Sequence, residues 1–108
     1  MPTIEDFQDL QLRVGTVLTA EAHVGARRPA YLLLINFGPL GEMQSSAQIT
    51  DRYQPEELVG RQVVAVTGLP PLNIGDFRSD VLILGALTAS GVVLLNTDVA
   101  VDPGSEVA

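Results

Sequence analysis

No cysteine, lysine or tryptophan occurs in these 108 residues, and histidine appears once, at His23. Without cysteine, thiolate zinc sites, thiol catalysis and disulfide frameworks are excluded, and a lone histidine cannot assemble a usual zinc site. A G-x-S-x-G elbow is missing, so His23 has no recognisable nucleophile to serve as base at Ser45 or Ser46; it reads as a surface or loop residue. Gly60, Gly68, Gly75 and Gly85 lack the spacing of a phosphate cradle. Glu56 and Glu57 read as a solvated first helical turn, favoured there by the helix dipole. The expectation is a protein with no catalytic residues, no metal ligands and no cofactor.

Long hydrophobic runs are missing too. Hydrophobic residues make up 46% of the chain, yet the longest apolar run, Ala30 to Ile35, falls well short of the roughly 18 residues that span a membrane. The opening MPTIEDFQDL is acidic, with neither a basic n-region nor an apolar h-region. No membrane insertion, no secretory signal and a cytoplasmic location are therefore expected. Positive charge is scarce: 13 acidic residues face six basic ones, all arginine, for a net charge of −7. A protein that grips nucleic acid through its phosphates normally carries a basic patch. Here only a local arginine cluster is available, set in a repulsive field; the acidity reads equally as a solubility device.

What is present is β-structure with turn signals at short, regular spacing, the pattern of a barrel or sandwich. Thr3 and Asp6 form a capping box for a short helix with Ile4, Phe7 and Leu10 along one face. Residues 12–22 alternate, Leu12, Val14, Thr16, Leu18 and Ala20 on one side and Arg13, Gly15, Val17, Thr19 and Glu21 on the other: a half-buried strand. Gly15 suits the bend that a small barrel imposes on a long strand. A loop over 24–29 leads to a strand over 30–37, and Gly38–Gly41 turns into a shorter one near 42–47. Residues 54–60 read as a helical turn with Pro55 at N1 and Gly60 at C′. Strands are expected at 62–67, 81–86 and 92–95, with a proline-rich loop at 69–75 and a turn at 88–91. Five or six strands with one small helix between the third and fourth suit an all-β, OB-type five-stranded barrel.

Strands apolar on both faces, 31–37 and 81–84, exceed what one barrel interior can hold. A second subunit is the economical cover, since large exposed apolar patches are rare on monomers.

Two segments could carry a ligand. Gln44–Thr50 (QSSAQIT) offers small hydroxyls and two amides; these either cap the following helix or hydrogen-bond a ligand backbone. Leu69–Ser79 holds two prolines that fix its path, leaving Leu72, Ile74 and Phe77 for a packing site or a ligand groove. At these segments, QSSAQIT and LPP…FRSDVLILG, the sequence resembles the CsaA-type export-related chaperones of the wider tRNA-binding-domain family. The resemblance runs from Phe7 to Asp102-Pro-Gly and includes L-R-V-G at 12–15 and A-R-R-P-A at 26–30.

That resemblance implies one OB domain over 1–108, with an N-terminal extension of about the first 11 residues and a two-fold homodimer built by the terminal extensions. It implies binding rather than catalysis. The ligands would be unfolded precursor proteins awaiting export: Ser45, Ser46, Gln48 and Phe77 match the family's motifs, and the proline-framed loop adds Leu72, Asn73 and Ile74 as expected groove residues. The alternative ligand is the outer corner of tRNA, met by Arg27, Arg28, Arg78 and Ser79. The sequence departs from the family pattern where relatives are basic: Leu72 and Asn73 follow Pro-Pro, and residues 51–54 read Asp-Arg-Tyr-Gln. Each lost phosphate contact weakens the salt-dependent part of nucleic-acid affinity.

Overall fold

The chain begins with helix α1 (Ile4–Leu10), started by the expected capping box: Thr3 Oγ1 accepts from Asp6 N at 3.2 Å and Asp6 Oδ2 accepts from Thr3 N at 2.8 Å. Gln11, at φ 50°, ends it and turns the backbone into β1 (Leu12–Ala22). All residues, 1–108, are described by the structure, a computed structural model. β2 (Tyr31–Asn36), β3 (Glu42–Ala47), β4 (Gln62–Val66) and the short β7 (Leu82–Ile83) complete a five-stranded antiparallel sheet in the order β3-β2-β1-β4-β7. β1 is long enough to serve two ladders. Its first half pairs with β4 (Val14↔Val64) and its second with β2 (Ala20↔Leu33).

The sheet curls until β3 meets the stretch just before β7. Asp80 N donates to the Gln44 carbonyl at 2.8 Å and Asp80 Oδ2 accepts from Gln44 N at 3.2 Å. Ser45 Oγ donates to the Val81 carbonyl at 3.0 Å. This closes an OB-type barrel, with α2 (Pro55–Leu58) between β3 and β4 as expected. Pro55 stands at its first turn, Glu57 Oε1 accepts from Gln54 N at 2.8 Å, and Gly60 follows the cap with φ 86°. Leu58 of α2 is fully buried with Tyr31, Leu33, Ile35, Phe37, Val63 and Ala65 in the interior.

β1 turns a different face inward from the one its composition suggests. Gly15 and Val17 face the barrel, while Val14 is buried outside the main core cluster, its backbone bonded to Gly104 and Ser105 of the C-terminal segment. A bulge lies between Val17 and Thr19, and beyond it Ala20 packs on the core. One extra residue in a strand switches the inward phase from odd to even positions, which strict alternation cannot anticipate. Gly15 is also explained by packing more than by bending: a Cβ there would stand 2.5 Å from Ile35 Cγ2 and 2.8 Å from Phe37 Cε1.

Two hairpins extend the barrel. β5 (Leu72–Ile74) pairs with β6 (Phe77–Ser79), and β8 (Gly85–Thr88) with β9 (Gly91–Leu94). The first lies where a proline-rich loop was expected. Only Leu69–Pro71 remain irregular, because the two-residue turn Gly75–Asp76, with Gly75 at φ 63°, folds the rest back on itself. No helix is long and apolar enough to cross a membrane. Surplus apolar surface remains: Leu87 is 89% exposed, Ile4 64%, and Leu32 and Leu34 on the outer face of β2 are half-buried.

Candidate ligand-binding groove

The β5–β6 hairpin, the end of β3 and the loop over 24–29 meet on one side of the barrel. Gly75 makes the approach possible, since a Cβ there would come within 2.9 Å of the Gly25 carbonyl oxygen. Beneath the junction lies His23, only 9% exposed. Its Nδ1 stands 2.8 Å from Ser46 Oγ and its ring packs on Phe77, centroids 5.5 Å apart at 57°. The expected surface histidine is therefore a buried strut between β1, β3 and β6. Burial of a polar ring is tolerated here because Ser46 satisfies one nitrogen.

Around this strut two clefts open side by side. The first, about 520 Å³, is walled by Arg27, Arg28, Ser46, Gln48, Asn73 and Ile74, with Gly25, Ala26, Ala30 and Gly75 completing it. It has no acidic residue, and neither arginine has a carboxylate partner; the only ion pair in the chain lies elsewhere. The second cleft, about 470 Å³, is lined by Leu69, Pro70, Pro71, Leu72, Val81 and Leu82, with Ser79 and Asp80 at its polar edge. Ser46 and Ile74 belong to both. The prolines donate no backbone hydrogen bond and hold the rim, and Leu72 projects 63% exposed. A third hollow, about 310 Å³, continues from the first through Arg28 and Gln48 to Thr50, Asp51 and Thr88. The three make one track: apolar at one end, cationic in the middle, and mixed at the other, where Pro29, Leu87 and Val92 stand beside Thr50, Asp51 and Thr88.

Not every residue singled out from the sequence faces this track. Ser46, Gln48, Leu72, Asn73 and Ile74 line it, as do Arg27 and Arg28. Ser45 does not: it is 1% exposed and its hydroxyl is spent on Val81, closing the barrel. Ser79 is also buried; its Oγ accepts from Ser46 N at 3.1 Å and only its edge reaches the apolar cleft. Phe77 is half-buried against His23 and lines neither cleft. Arg78 stands apart from Arg27 and Arg28, its Nε 2.8 Å from Asp80 Oδ1, so its charge is locally answered. His23, Pro70, Pro71 and Leu82 were not among the expected site residues. Pro70, Pro71 and Leu82 lie within the LPP…FRSDVLILG segment, whereas the role of His23 depends on Ser46, a partner far along the chain.

The family model of the tRNA binding domain matches residues 12–106. The chain belongs to the tRNA-binding-domain family. Within it the chain is of the CsaA type: it is 49% identical to chaperone CsaA from Bacillus anthracis, covering 100% of this chain and 99% of that one with a TM-score of 0.94. The CsaA chaperone protein of Picrophilus torridus is 42% identical, with 100% of both chains covered and a TM-score of 0.95. Methionine–tRNA ligases are also similar. That of Methanocella arvoryzae is 36% identical over 97% of this chain, and that of Thermotoga maritima 35% over 97%. The chain spans only 15% and 16% of those two ligases. The expected fold and family therefore hold, and the sequence-based distinction between CsaA-like and tRNA-binding relatives recurs in what the chain is similar to.

Proposed function

We propose that this protein is a binding protein, not an enzyme: an export-related chaperone that holds extended apolar segments of unfolded precursor proteins. The observation that carries this reading is the cleft walled by Leu69, Pro70, Pro71, Leu72 and Leu82. Its leucines face solvent: Leu72 is 63% exposed, Leu82 52% and Leu69 39%. Burying apolar side chains in such a cleft contributes about 25 cal/mol per Å² removed from water, with little dependence on salt. The likeness to CsaA chaperones along the whole chain supports the same reading. We further propose that residues 1–108 act as one domain in the cytoplasm and pair as a homodimer through the terminal segments. Helix α1 is seven residues long and buries none of them fully. So short a helix is marginal on its own, and a second subunit would stabilise it.

A second reading, recognition of the outer corner of tRNA, is favoured by the unpaired Arg27 and Arg28 and by the family itself. One titration separates the two. A labelled unfolded apolar peptide should bind with nearly the same affinity at low and high salt, and Leu72→Asp should abolish binding. Should tRNA bind instead, affinity falls steeply with salt, and Arg27→Ala or Arg28→Ala each lowers the slope by about one unit. With so few cations, tRNA affinity at physiological salt is expected to be on the order of micromolar or weaker. Nanomolar tRNA binding under those conditions, with no peptide binding, would reverse the ranking.

A further inference from the structure

The track does not carry one kind of surface, and the order of its parts restricts what can lie in it. The middle cleft holds Arg27 and Arg28, both exposed and unpaired, with no acid in its wall, in a chain of net charge −7. On one side it shares Ser46 and Ile74 with the apolar cleft, whose edge carries Asp80. On the other it shares Arg28 and Gln48 with the hollow that contains Asp51. The cationic stretch is therefore short and bounded by a carboxylate in each direction. Asp80 is matched by Arg78, whereas Asp51 has no ion-pair partner. A polyanion running the length of the track would place charges against Asp51 and into an apolar cleft. A single carboxylate, flanked by uncharged residues, meets only the two arginines.

From this we infer that the groove selects extended peptide segments in which an acidic side chain lies about three residues from a bulky apolar one. The apolar side chain enters between Pro70, Pro71, Leu72 and Leu82, and the carboxylate reaches Arg27 and Arg28. Treated as touching spheres, volumes of about 520 and 470 Å³ have centres about 10 Å apart, the span of about three residues of extended chain at about 3.3 Å each. Gln48 and Asn73, both exposed in the middle cleft, can hydrogen-bond the peptide backbone between the two anchors. Guanidinium–carboxylate hydrogen bonds are stronger than neutral ones, but these arginines are solvent-exposed, so the gain is modest. The inference rests on the peptide-binding reading above and adds a sequence preference to it.

The test uses the full chain and a set of short labelled unfolded peptides that share a leucine and differ at one position. The acidic member carries Glu about three residues from the leucine; its partners carry Gln or Lys there, or the Glu far away. Fluorescence anisotropy at about 150 mM salt should show the nearby-Glu peptide binding about three- to tenfold tighter than the Gln form. The doubly substituted protein Arg27→Glu, Arg28→Glu should invert the order and prefer the Lys peptide, a reversal that mere loss of folding cannot produce. Equal binding of the Glu, Gln and Lys peptides would overturn the sequence preference and leave the peptide-binding reading standing. Failure of every peptide to bind would overturn both. Displacement of the acidic peptide by an equally short oligouridylate, as effectively as by unlabelled peptide, would also overturn the preference, because the middle cleft would then be reading phosphate.

Discussion

Replacing Gly15 with alanine should destabilise the protein by an amount that its two neighbours determine. The added Cβ would stand 2.5 Å from Ile35 Cγ2, 2.8 Å from Phe37 Cε1 and 3.0 Å from Phe37 Cζ. Comfortable carbon contacts lie at about 3.5–4.0 Å, and both neighbours are 0% exposed, with no solvent to move into. Overpacking of this kind costs about 1–3 kcal/mol. Gly15 is not among the positive-φ glycines, so alanine incurs no backbone strain and restricts the unfolded chain, returning about 0.4–1 kcal/mol. The net expectation is a loss of about 1–2 kcal/mol, which for a domain of this size lowers the melting temperature by about 5–10 °C. Urea unfolding followed by circular dichroism, at one fixed protein concentration, should show a lower midpoint with an unchanged slope. A second pair of measurements makes the contact itself testable. In a Phe37→Leu background the ring atoms Cε1 and Cζ are gone, so Gly15→Ala should cost less than it does in the parent. A cost equal in both backgrounds, or an unshifted midpoint in the parent, would refute the packing account of this glycine.

Two further outcomes follow from the same structure. Ser45→Ala removes the buried donor to the Val81 carbonyl, leaving that oxygen only Ser79 Oγ at 3.3 Å; the expected loss is about 1–2 kcal/mol in the same unfolding assay, with no effect on peptide affinity. Phe7→Asp places a charge on the apolar side of α1, and sedimentation at micromolar concentration should shift from dimer to a folded monomer; a parent protein that already sediments as a monomer contradicts the proposed pairing.

Local chemistry made part of this molecule readable before its shape was known. The Thr3–Asp6 capping box and the Pro55–Gly60 helical turn depend on residues a few positions apart, and both form as expected. The barrel and its central helix followed from turn spacing and the position of that turn. The errors came where a distant partner or a small irregularity decides. One bulge in β1 reverses which residues face inward, so Val17 before it and Ala20 after it both pack on the core, while Val14 is buried on the opposite face beside the C-terminal segment. The Ile74-Gly-Asp-Phe77 hairpin was hidden by the prolines before it, although Gly-Asp between two apolar residues is itself a hairpin signal. Ser45 lies in phase with Ala47 and Ile49, both buried, and that alternation could have marked it as an interior residue. No local signal could have paired His23 with Ser46, since the contact exists only once β1 and β3 are folded against each other. The groove was half legible: its segments were recognised, but which side chains open to solvent and which close the barrel depends on tertiary packing.

The central claim is that the track from Leu69 to Thr88, by way of Ser46, is where this protein holds its ligand. Backbone amide shifts of the isotope-labelled protein, followed during titration with an unfolded apolar peptide, test it most directly. The account predicts that the largest changes fall on Arg28, Ser46, Gln48, Leu72, Asn73 and Ile74. Changes concentrated instead in the separate cleft of Arg61, Gln62 and Asn96, or along α1 and the C-terminal segment, would contradict it.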